Sequence, residues 1–162
     1  MVLGLPRGGV VVAAALARGL TLPLDVFVVR KLGAPNQPEL AIGAVAAGGL
    51  VVVDDAAIAS MRMTPETLTE AIDREKEEVN RREQAYRAGR PALEIFEQMA
   101  ILVDDGVATG YTMLATVRAV RQLRPERIVV AVPVASAEAV EMLRSVADEV
   151  FCTAVPRRLF AV

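Results

Sequence analysis

The sequence predicts an α/β fold with a parallel sheet of about five strands, flanked by helices, and an additional β-hairpin. Short apolar runs alternate along the chain with helical patterns, which is typical of right-handed βαβ units. Two of the runs lead through a loop of small residues directly into a helix. The 162 residues are 54% hydrophobic, which is enough for one buried core. We therefore predict a single domain over residues 1–162, with a helical excursion at about 56–98.

The composition restricts the class of function. The net charge of −2 argues against a basic surface for nucleic acid, and no apolar stretch is long and continuous enough to predict a membrane span. The single cysteine, Cys152, cannot form a disulfide within the chain, which fits a reducing cytoplasm. The chain has no histidine, so its chemistry must use carboxylates, Lys, Arg, Tyr or backbone groups.

The first predicted unit is a buried strand over residues 1–5, a Pro-Arg-Gly-Gly loop, and a helix from about Val10 to Arg18, ended by Gly19. A tight turn is the plain interpretation of the loop. The alternative is an anion-binding loop, because Arg7 carries a charge that suits a phosphate.

The second apolar run, residues 24–29, ends in Arg30 and Lys31. A chain that otherwise prefers arginine places one of its two lysines here, which suggests a specific role for a compact ammonium. Glycine and prolines predict a loop over residues 33–40. That loop could close as a lid over a reaction that must exclude water, or it could be a solvated connector.

Two runs, residues 42–47 and 50–53, predict a β-hairpin with a Gly-Gly turn. Asp54 and Asp55 follow the second run, and we predict that they cap a helix because no Gly-x-x-Thr-Gly follows them. Thr64 then precedes Pro65 at the start of a long, highly charged helix.

The stretch over residues 100–114 organises the chain. Its apolar run predicts a strand buried on both faces, and the acidic pair Asp104-Asp105 ends that strand. Gly106 opens a loop of small residues that leads to a helix from about Tyr111. Such a loop at a helix N-terminus favours a phosphate. Two carboxylates beside a phosphate repel it unless they accept hydrogen bonds from a diol or hold a divalent cation.

Other phosphate loops fit this stretch less well. The P-loop requires a lysine after its last glycine, whereas Tyr111 follows Gly110 here. The G-x-G-x-x-G pattern of dinucleotide loops is absent from the stretch. A plain strand-to-turn junction remains as the non-functional interpretation.

Further strands are predicted over residues 128–132 and 150–155, with a helix between them that Ser136 caps. Ligands of parallel sheets bind at the carboxyl ends of strands, where the strand order reverses. We therefore expect the strands of Leu3 and Val103 to be neighbours, so that both small-residue loops face one crevice.

The motifs resemble a known family. The apolar run, the acidic pair and the pattern Gly106-x-x-Thr109-Gly110-x-Thr112 are similar to the phosphoribosyl-pyrophosphate (PRPP) motif of type I phosphoribosyltransferases. Five segments further resemble a bacterial subgroup of predicted phosphoribosyltransferases: LGLPRGG, VRKLGAP, PELAIGAV, ILVDDGVATG and VAVPVAS. The resemblance covers nearly the whole chain.

The resemblance implies three groups of site residues. The loop for the 5′-phosphate would comprise Gly106, Val107, Ala108, Thr109, Gly110, Tyr111 and Thr112. The residues that bind pyrophosphate would be Pro6, Arg7, Gly8, Gly9, Arg30 and Lys31. The catalytic residues would be Asp104, Asp105 and Lys31.

The implied activity is the transfer of ribose 5-phosphate from PRPP to a nitrogen nucleophile, expected to be a nucleobase, with release of pyrophosphate. The resemblance implies Mg²⁺ as the cofactor, bound through PRPP, with Asp104 and Asp105 as candidate direct ligands. The small-molecule partners would be PRPP, pyrophosphate and the base. A non-catalytic module that senses PRPP or a nucleotide is the alternative, and a different phosphosugar binder is a third.

Family members usually carry an additional terminal segment that forms a hood over the acceptor base. We expect this chain, which starts on its first strand, to lack that segment. The acceptor therefore cannot be identified from the sequence. Uncovered apolar flanks of the sheet would lead to a homodimer or to a less stable domain.

Overall fold

The computed structural model describes residues 1–34, 37–87, 89–157 and 159. They form a five-stranded parallel sheet and a separate three-stranded antiparallel sheet, with helices packed on both, which confirms the predicted fold class. The strands are β1 (Val2–Gly4), β2 (Leu24–Val26), β3 (Val29–Ala34), β4 (Gln37–Ala46), β5 (Leu50–Val53), β6 (Met99–Val103), β7 (Arg127–Val134) and β8 (Glu149–Ala154). The helices are α1 (Gly8–Leu20), α2 (Asp55–Ser60), α3 (Pro65–Arg87), α4 (Tyr111–Gln122) and α5 (Ala137–Arg144).

The parallel sheet has the strand order β2-β1-β6-β7-β8. Leu3 pairs with Leu102 and Gly4 pairs with Val103, so the predicted neighbours are confirmed. From β1 the chain runs through α1 outwards to β2, whereas from β6 it runs through α4 and α5 in the other direction. The strand order therefore reverses between β1 and β6, and the carboxyl ends of these two strands lie side by side.

The two faces of the parallel sheet pack against different helices. One face contributes Leu3, Leu102 and Val130 to the main core, where they meet apolar residues of α4 and α5. The opposite face contributes Val2 and Ile101, which pack with the alanines of α1. Because both faces are covered, the strands at the reversal point are apolar throughout, as the sequence predicted.

The antiparallel sheet has the order β3-β4-β5 and corrects two predictions. The hairpin is confirmed as β4 and β5, joined by a 3₁₀ turn over Ala47–Gly49. The loop predicted over residues 33–40 is wrong where the structure describes it, because Ala34 of β3 pairs with Gln37 of β4. Residues 35 and 36 of the expected lid lie outside the described residues.

The same pairing divides the predicted second strand, residues 24–29, into two. β2 joins the parallel sheet and β3 joins the antiparallel sheet, with the fully buried Phe27 and Val28 between them. The ladder between β3 and β4 satisfies the backbone, and Leu32 is buried with Ala71 of α3. Tertiary burial thus extends a strand into a segment whose local composition favours a loop.

The helix boundaries follow capping chemistry except at the two ends of α1. This helix begins at Gly8 rather than Val10. It ends at Leu20 rather than Arg18, because Gly19 continues the helix and Thr21 takes a left-handed conformation with φ of 55°. Asp54 and Ser136 cap α2 and α5 as predicted. Within the described part of the chain, none of the helices combines the length and apolarity needed to cross a membrane.

Candidate functional site

The two small-residue loops meet at the reversal point between β1 and β6. The first turn of α1 packs directly on the acidic pair: a Cβ atom on Gly8 would overlap the carboxylate of Asp105. A Cβ atom on Gly9 would lie 2.7 Å from Cα of Asp104. The structure therefore brings the two glycines of the Pro-Arg-Gly-Gly loop into contact with the acidic pair.

The acidic pair is held in a partly buried position at the end of β6. Asp104 is half-buried and Asp105 is exposed, and the backbone N–H of Asp105 donates to Oδ1 of Asp104 at 2.9 Å. Burial raises the pKa of Asp104 to about 7. The hydrogen bond from the Asp105 backbone opposes this rise, and the adjacent carboxylate of Asp105 adds to it. A cation or a hydroxyl donor at this position would therefore stabilise the charged pair.

The loop after the pair is fixed to the end of β7. The N–H of Val107 donates to the carbonyl of Val134 at 2.9 Å, and the carbonyl of Val107 accepts from the N–H of Ser136 at 3.0 Å. Gly110 has φ of 82°, and a Cβ atom there would lie 3.2 Å from Cβ of Ala139 on α5. Glycine is required at this position for both its backbone conformation and its close contact.

A cleft of about 280 Å³ lies above this loop. Its lining residues are Asp104, Asp105, Gly106, Val107, Ala108, Thr109, Gly110, Thr112 and Met113. Tyr111, which was predicted with the loop, instead lines a second hollow of about 90 Å³ between α4 and the antiparallel sheet.

Two helices begin at the site, and neither has a side-chain cap. The N-cap residues are Arg7 for α1 and Gly110 for α4. At neither position does a side chain accept a hydrogen bond from the first N–H groups of the helix. By contrast, Asp54 Oδ1 and Ser136 Oγ each accept a backbone N–H at 3.0 Å at the starts of α2 and α5. The first N–H groups of α1 and α4 thus suit an anionic ligand. The Pro6–Arg7 peptide bond before α1 is cis.

The predicted basic residues lie on different elements. Arg7 is exposed at the start of α1. The Nε of Arg30 donates to Oε2 of Glu75 on α3 at 2.9 Å, which engages this guanidinium in a structural ion pair. Lys31 lies half-buried on β3, opposite Ala44 of β4. Neither Arg30 nor Lys31 is among the described residues that line the cleft above the loop.

The donor set of the acidic pair fits Mg²⁺ that is shared with a ligand. Mg²⁺ keeps several waters and takes one or two carboxylates together with substrate phosphates. Asp104 and Asp105 supply such a pair beside the cleft. Across residues 1–34, 37–87, 89–157 and 159, no group of three or more acidic, Cys or His side chains is placed to hold a metal ion by itself.

Sequence reasoning missed two contributors to the site. Met113 lines the cleft from the first turn of α4, and the backbone of residues 134–136 holds the loop through Val107. The signal for the second was present: Pro133-Val134-Ala135-Ser136 follows β7, and β7 is adjacent to β6. The carboxyl end of β7 must therefore lie beside the loop that follows β6.

Comparisons with known proteins agree with this arrangement. Residues 1–160 match the family described as "Phosphoribosyl transferase domain". The chain is 41% identical over 162 residues to "Putative phosphoribosyl transferase Rv0571c" of Mycobacterium tuberculosis strain H37Rv, and equally to a counterpart in strain CDC 1551. All of this chain is aligned, but it spans only 37% of the length of those proteins.

Solved structures show the same fold. The protein TT1426 from Thermus thermophilus superposes with a TM-score of 0.88 and 47% identity, over 99% of this chain and 76% of that one. The adenine phosphoribosyltransferase of Giardia lamblia, solved with 9-deazaadenine, has a TM-score of 0.53 and 13% identity, over 97% of this chain and 70% of that one. The second likeness concerns the fold alone. From the match over residues 1–160, the chain belongs to the phosphoribosyl transferase domain family.

Proposed function

We propose that this chain is a PRPP-dependent phosphoribosyltransferase that transfers ribose 5-phosphate to a nitrogen of a nucleobase and releases pyrophosphate. The observation that carries the proposal is the contact between Gly8 and Asp105. The contact sets the uncapped start of α1 against the acidic pair, and the loop after that pair leads into the uncapped start of α4. PRPP carries a phosphate, a vicinal diol and a pyrophosphate, which are the groups that these three features suit.

The chain's residues divide between the three parts of the ligand. The first turn of α4, with the hydroxyls of Thr109 and Thr112, would bind the 5′-phosphate. Asp104 and Asp105 would accept hydrogen bonds from the ribose hydroxyls. The loop over residues 6–9, together with Lys31, would bind the pyrophosphate. Arg30, which pairs with Glu75 in the structure, remains the second candidate for this contact.

The reaction would break the bond between C1 of the ribose and the pyrophosphate oxygen, which leaves with the electron pair, and form a bond from C1 to the base nitrogen on the opposite face. The proton of that nitrogen would pass to solvent. Positive charge develops on the ribose ring as the pyrophosphate leaves. The carboxylates of Asp104 and Asp105 would lie close to that charge and stabilise it. Bound Mg²⁺ would neutralise charge on the leaving pyrophosphate. A histidine is not required for these steps.

The test is the release of pyrophosphate from PRPP and Mg²⁺ across a panel of purine and pyrimidine bases. Release is expected with at least one base, because every transfer frees pyrophosphate whatever base is accepted. The release should disappear in Asp105→Asn, which keeps the shape of the side chain and removes its charge. Wild-type protein that is folded but neither binds PRPP nor releases pyrophosphate would contradict the proposal.

A module that senses PRPP or a nucleotide without transfer is the second candidate. The observation in its favour is that every residue lining the cleft belongs to the acidic pair, the loop and the start of α4. The phosphate and diol half of the site is thus formed by the described residues without a side chain dedicated to a base. Tight PRPP binding with no pyrophosphate release from any base would favour this candidate.

The proposal also includes a cytoplasmic location and a homodimer. The cytoplasm is consistent with the single Cys152, which has no partner for a disulfide within the chain. Light scattering at two protein concentrations would test the dimer.

A further inference from the structure

The two glycines at the start of α1 meet the acidic pair in different ways. A Cβ atom on Gly8 would overlap the carboxylate of Asp105 and lie 3.1 Å from Cβ of that residue. A Cβ atom on Gly9 would lie 2.7 Å from Cα of Asp104, 2.8 Å from the carbonyl oxygen of Val103 and 2.8 Å from Oδ1 of Asp104. The first contact is with a side chain, and the second is mainly with the backbone of β6 and its end.

The consequence of a methyl group differs between the two positions. At Gly9 it would press on backbone atoms, so α1 and the end of β6 would have to separate. At Gly8 it would press on a carboxylate, which can turn about its side-chain torsions while the backbone stays in place. Glycine at position 8 therefore leaves the carboxylate of Asp105 the orientation that it has in the structure.

We infer that Gly8 is a positioning residue that sets the orientation of the Asp105 carboxylate for hydrogen bonding to the ribose hydroxyls. This role rests on the proposed function for the identity of the ligand. It differs from the predicted contact of the Pro-Arg-Gly-Gly loop with pyrophosphate, because alanine at position 8 would keep the backbone N–H. The first turn of α1 thus constrains the acidic pair by direct contact, although the two segments are far apart in sequence.

The contact itself is tested without any ligand by a double-mutant cycle that combines Gly8→Ala with Asp105→Gly. The control is Gly19→Ala in the same helix, because a Cβ atom on Gly19 would meet nothing within 4 Å. We expect Gly19→Ala to raise the melting temperature by about 1 to 4 °C in both backgrounds, as alanine is a better helix former than glycine. Gly8→Ala should raise it only in the Asp105→Gly background. Equal shifts in both backgrounds would overturn the inference.

The role in ligand binding is tested by the ratio of the affinities for ribose 5-phosphate and 2-deoxyribose 5-phosphate, measured by calorimetry. The deoxy sugar lacks one hydroxyl of the diol, so wild-type protein should prefer ribose 5-phosphate. Gly8→Ala should reduce this preference by about tenfold, which is the loss of one hydrogen bond to a charged group. Gly19→Ala should keep it.

The outcomes separate the inference from the proposed function. A Gly8→Ala protein that retains the full preference for ribose would overturn the positioning role, since a general loss of stability changes both affinities together. Wild-type protein that binds neither sugar would contradict the proposed function instead. The melting cycle then decides by itself whether Gly8 sets the carboxylate. Gly9→Ala should lower the melting temperature in both Asp105 backgrounds, which distinguishes a backbone contact from a side-chain contact.

Discussion

Two Asp-Asp pairs follow apolar strands in this chain, and they do different things. Asp54 follows β5, and its Oδ1 accepts the N–H of Ala57 at 3.0 Å, so that α2 begins at once. Asp104 follows β6, and α4 begins only at Tyr111, after a loop. In the first pair, Asp54 is engaged as the N-cap of α2, whereas both residues of the second pair line an open cleft.

The difference has a local cause and a tertiary cause. The local cause is the residue after the pair, because Ala56 continues into a helix while Gly106 opens a loop. The tertiary cause is the position of the strand: β5 is at the edge of an antiparallel sheet, whereas β6 lies between β1 and β7 at the reversal point. The topology thus places a second loop opposite Asp104 and Asp105.

The largest expected effect comes from removing one carboxylate charge from each Asp-Asp pair in turn. Asp105→Asn should abolish the stabilisation of the protein by PRPP and Mg²⁺. In wild-type protein we expect that stabilisation to be about 2.7 kcal/mol at 100 times the dissociation constant, or roughly 5 to 10 °C in melting temperature. The matched variant Asp55→Asn should keep the whole shift. A melting scan of the three proteins, with and without PRPP and Mg²⁺, measures the shift. An equal shift in all of them would show that Asp105 does not take part in binding.

A second test separates the diol half of the ligand from the pyrophosphate half. Lys31→Ala should weaken PRPP and pyrophosphate by about ten- to a hundredfold, because it removes a charge-assisted contact, while ribose 5-phosphate binds as before. Lys76→Ala, on α3, is the matched control and should change none of the three affinities. Calorimetry with each ligand gives the answer, and uniform weakening by Lys31→Ala would show that Lys31 does not act on the pyrophosphate.

A third test uses the pH dependence of unfolding in the absence of metal, with a chelator present. Burial raises the pKa of Asp104 to about 7, so the folded protein retains a proton that the unfolded chain has released. Stability attributable to this group is therefore complete below about pH 4 and is lost as the pH rises towards 7. Asp104→Asn should gain stability relative to wild type across that interval, and the difference should stay constant above it.

The control for this test is Gly19→Ala, which changes no titratable group, so its melting temperature should run parallel to that of wild type at every pH. Other titrating groups are common to all three proteins, so their contributions cancel in the differences. If the difference between Asp104→Asn and wild type does not change between pH 4 and 8, the carboxyl of Asp104 is not destabilised by its burial.

The smallest expected effect concerns the other pair. Asp54→Ala should lower the free energy of unfolding by about 1 kcal/mol, because it removes the N-cap of α2. Asp54→Asn keeps a capping oxygen and should change stability by only about a few tenths of a kcal/mol. Neither variant should change PRPP binding. Denaturant unfolding with and without PRPP measures both effects, and a loss of PRPP binding in Asp54→Ala would mean that the two pairs are coupled.

Local chemistry accounts for much of what the sequence predicted. The caps at Asp54 and Ser136, the start of α4 at Tyr111 and the loop after Asp105 depend on a few adjacent residues. Hydrogen bonds from a backbone N–H to a side-chain oxygen three residues earlier can be inferred from a motif. The adjacency of Leu3 and Val103 also followed, because the topology rules for parallel sheets leave few arrangements.

Only the tertiary structure decided features that depend on pairs distant in sequence. The division of residues 24–34 between two sheets depends on the ladder with β4, since the local pattern of Gly33 favours a loop. The buried bidentate pair of Arg87 with Asp25, at 3.1 and 2.8 Å, joins α3 to β2 across 62 positions.

The start of α1 at Gly8 likewise depends on a contact between residues that are distant in sequence. Sequence patterns identify glycine as permissive, but they do not reveal which atom occupies the space that its side chain would fill. The carboxylate of Asp105 occupies it, and it comes from a strand on the other side of the reversal point. The sequence by itself therefore determined the types of chemical group in the site, whereas their mutual orientation arises from close packing between elements that meet only in the folded chain.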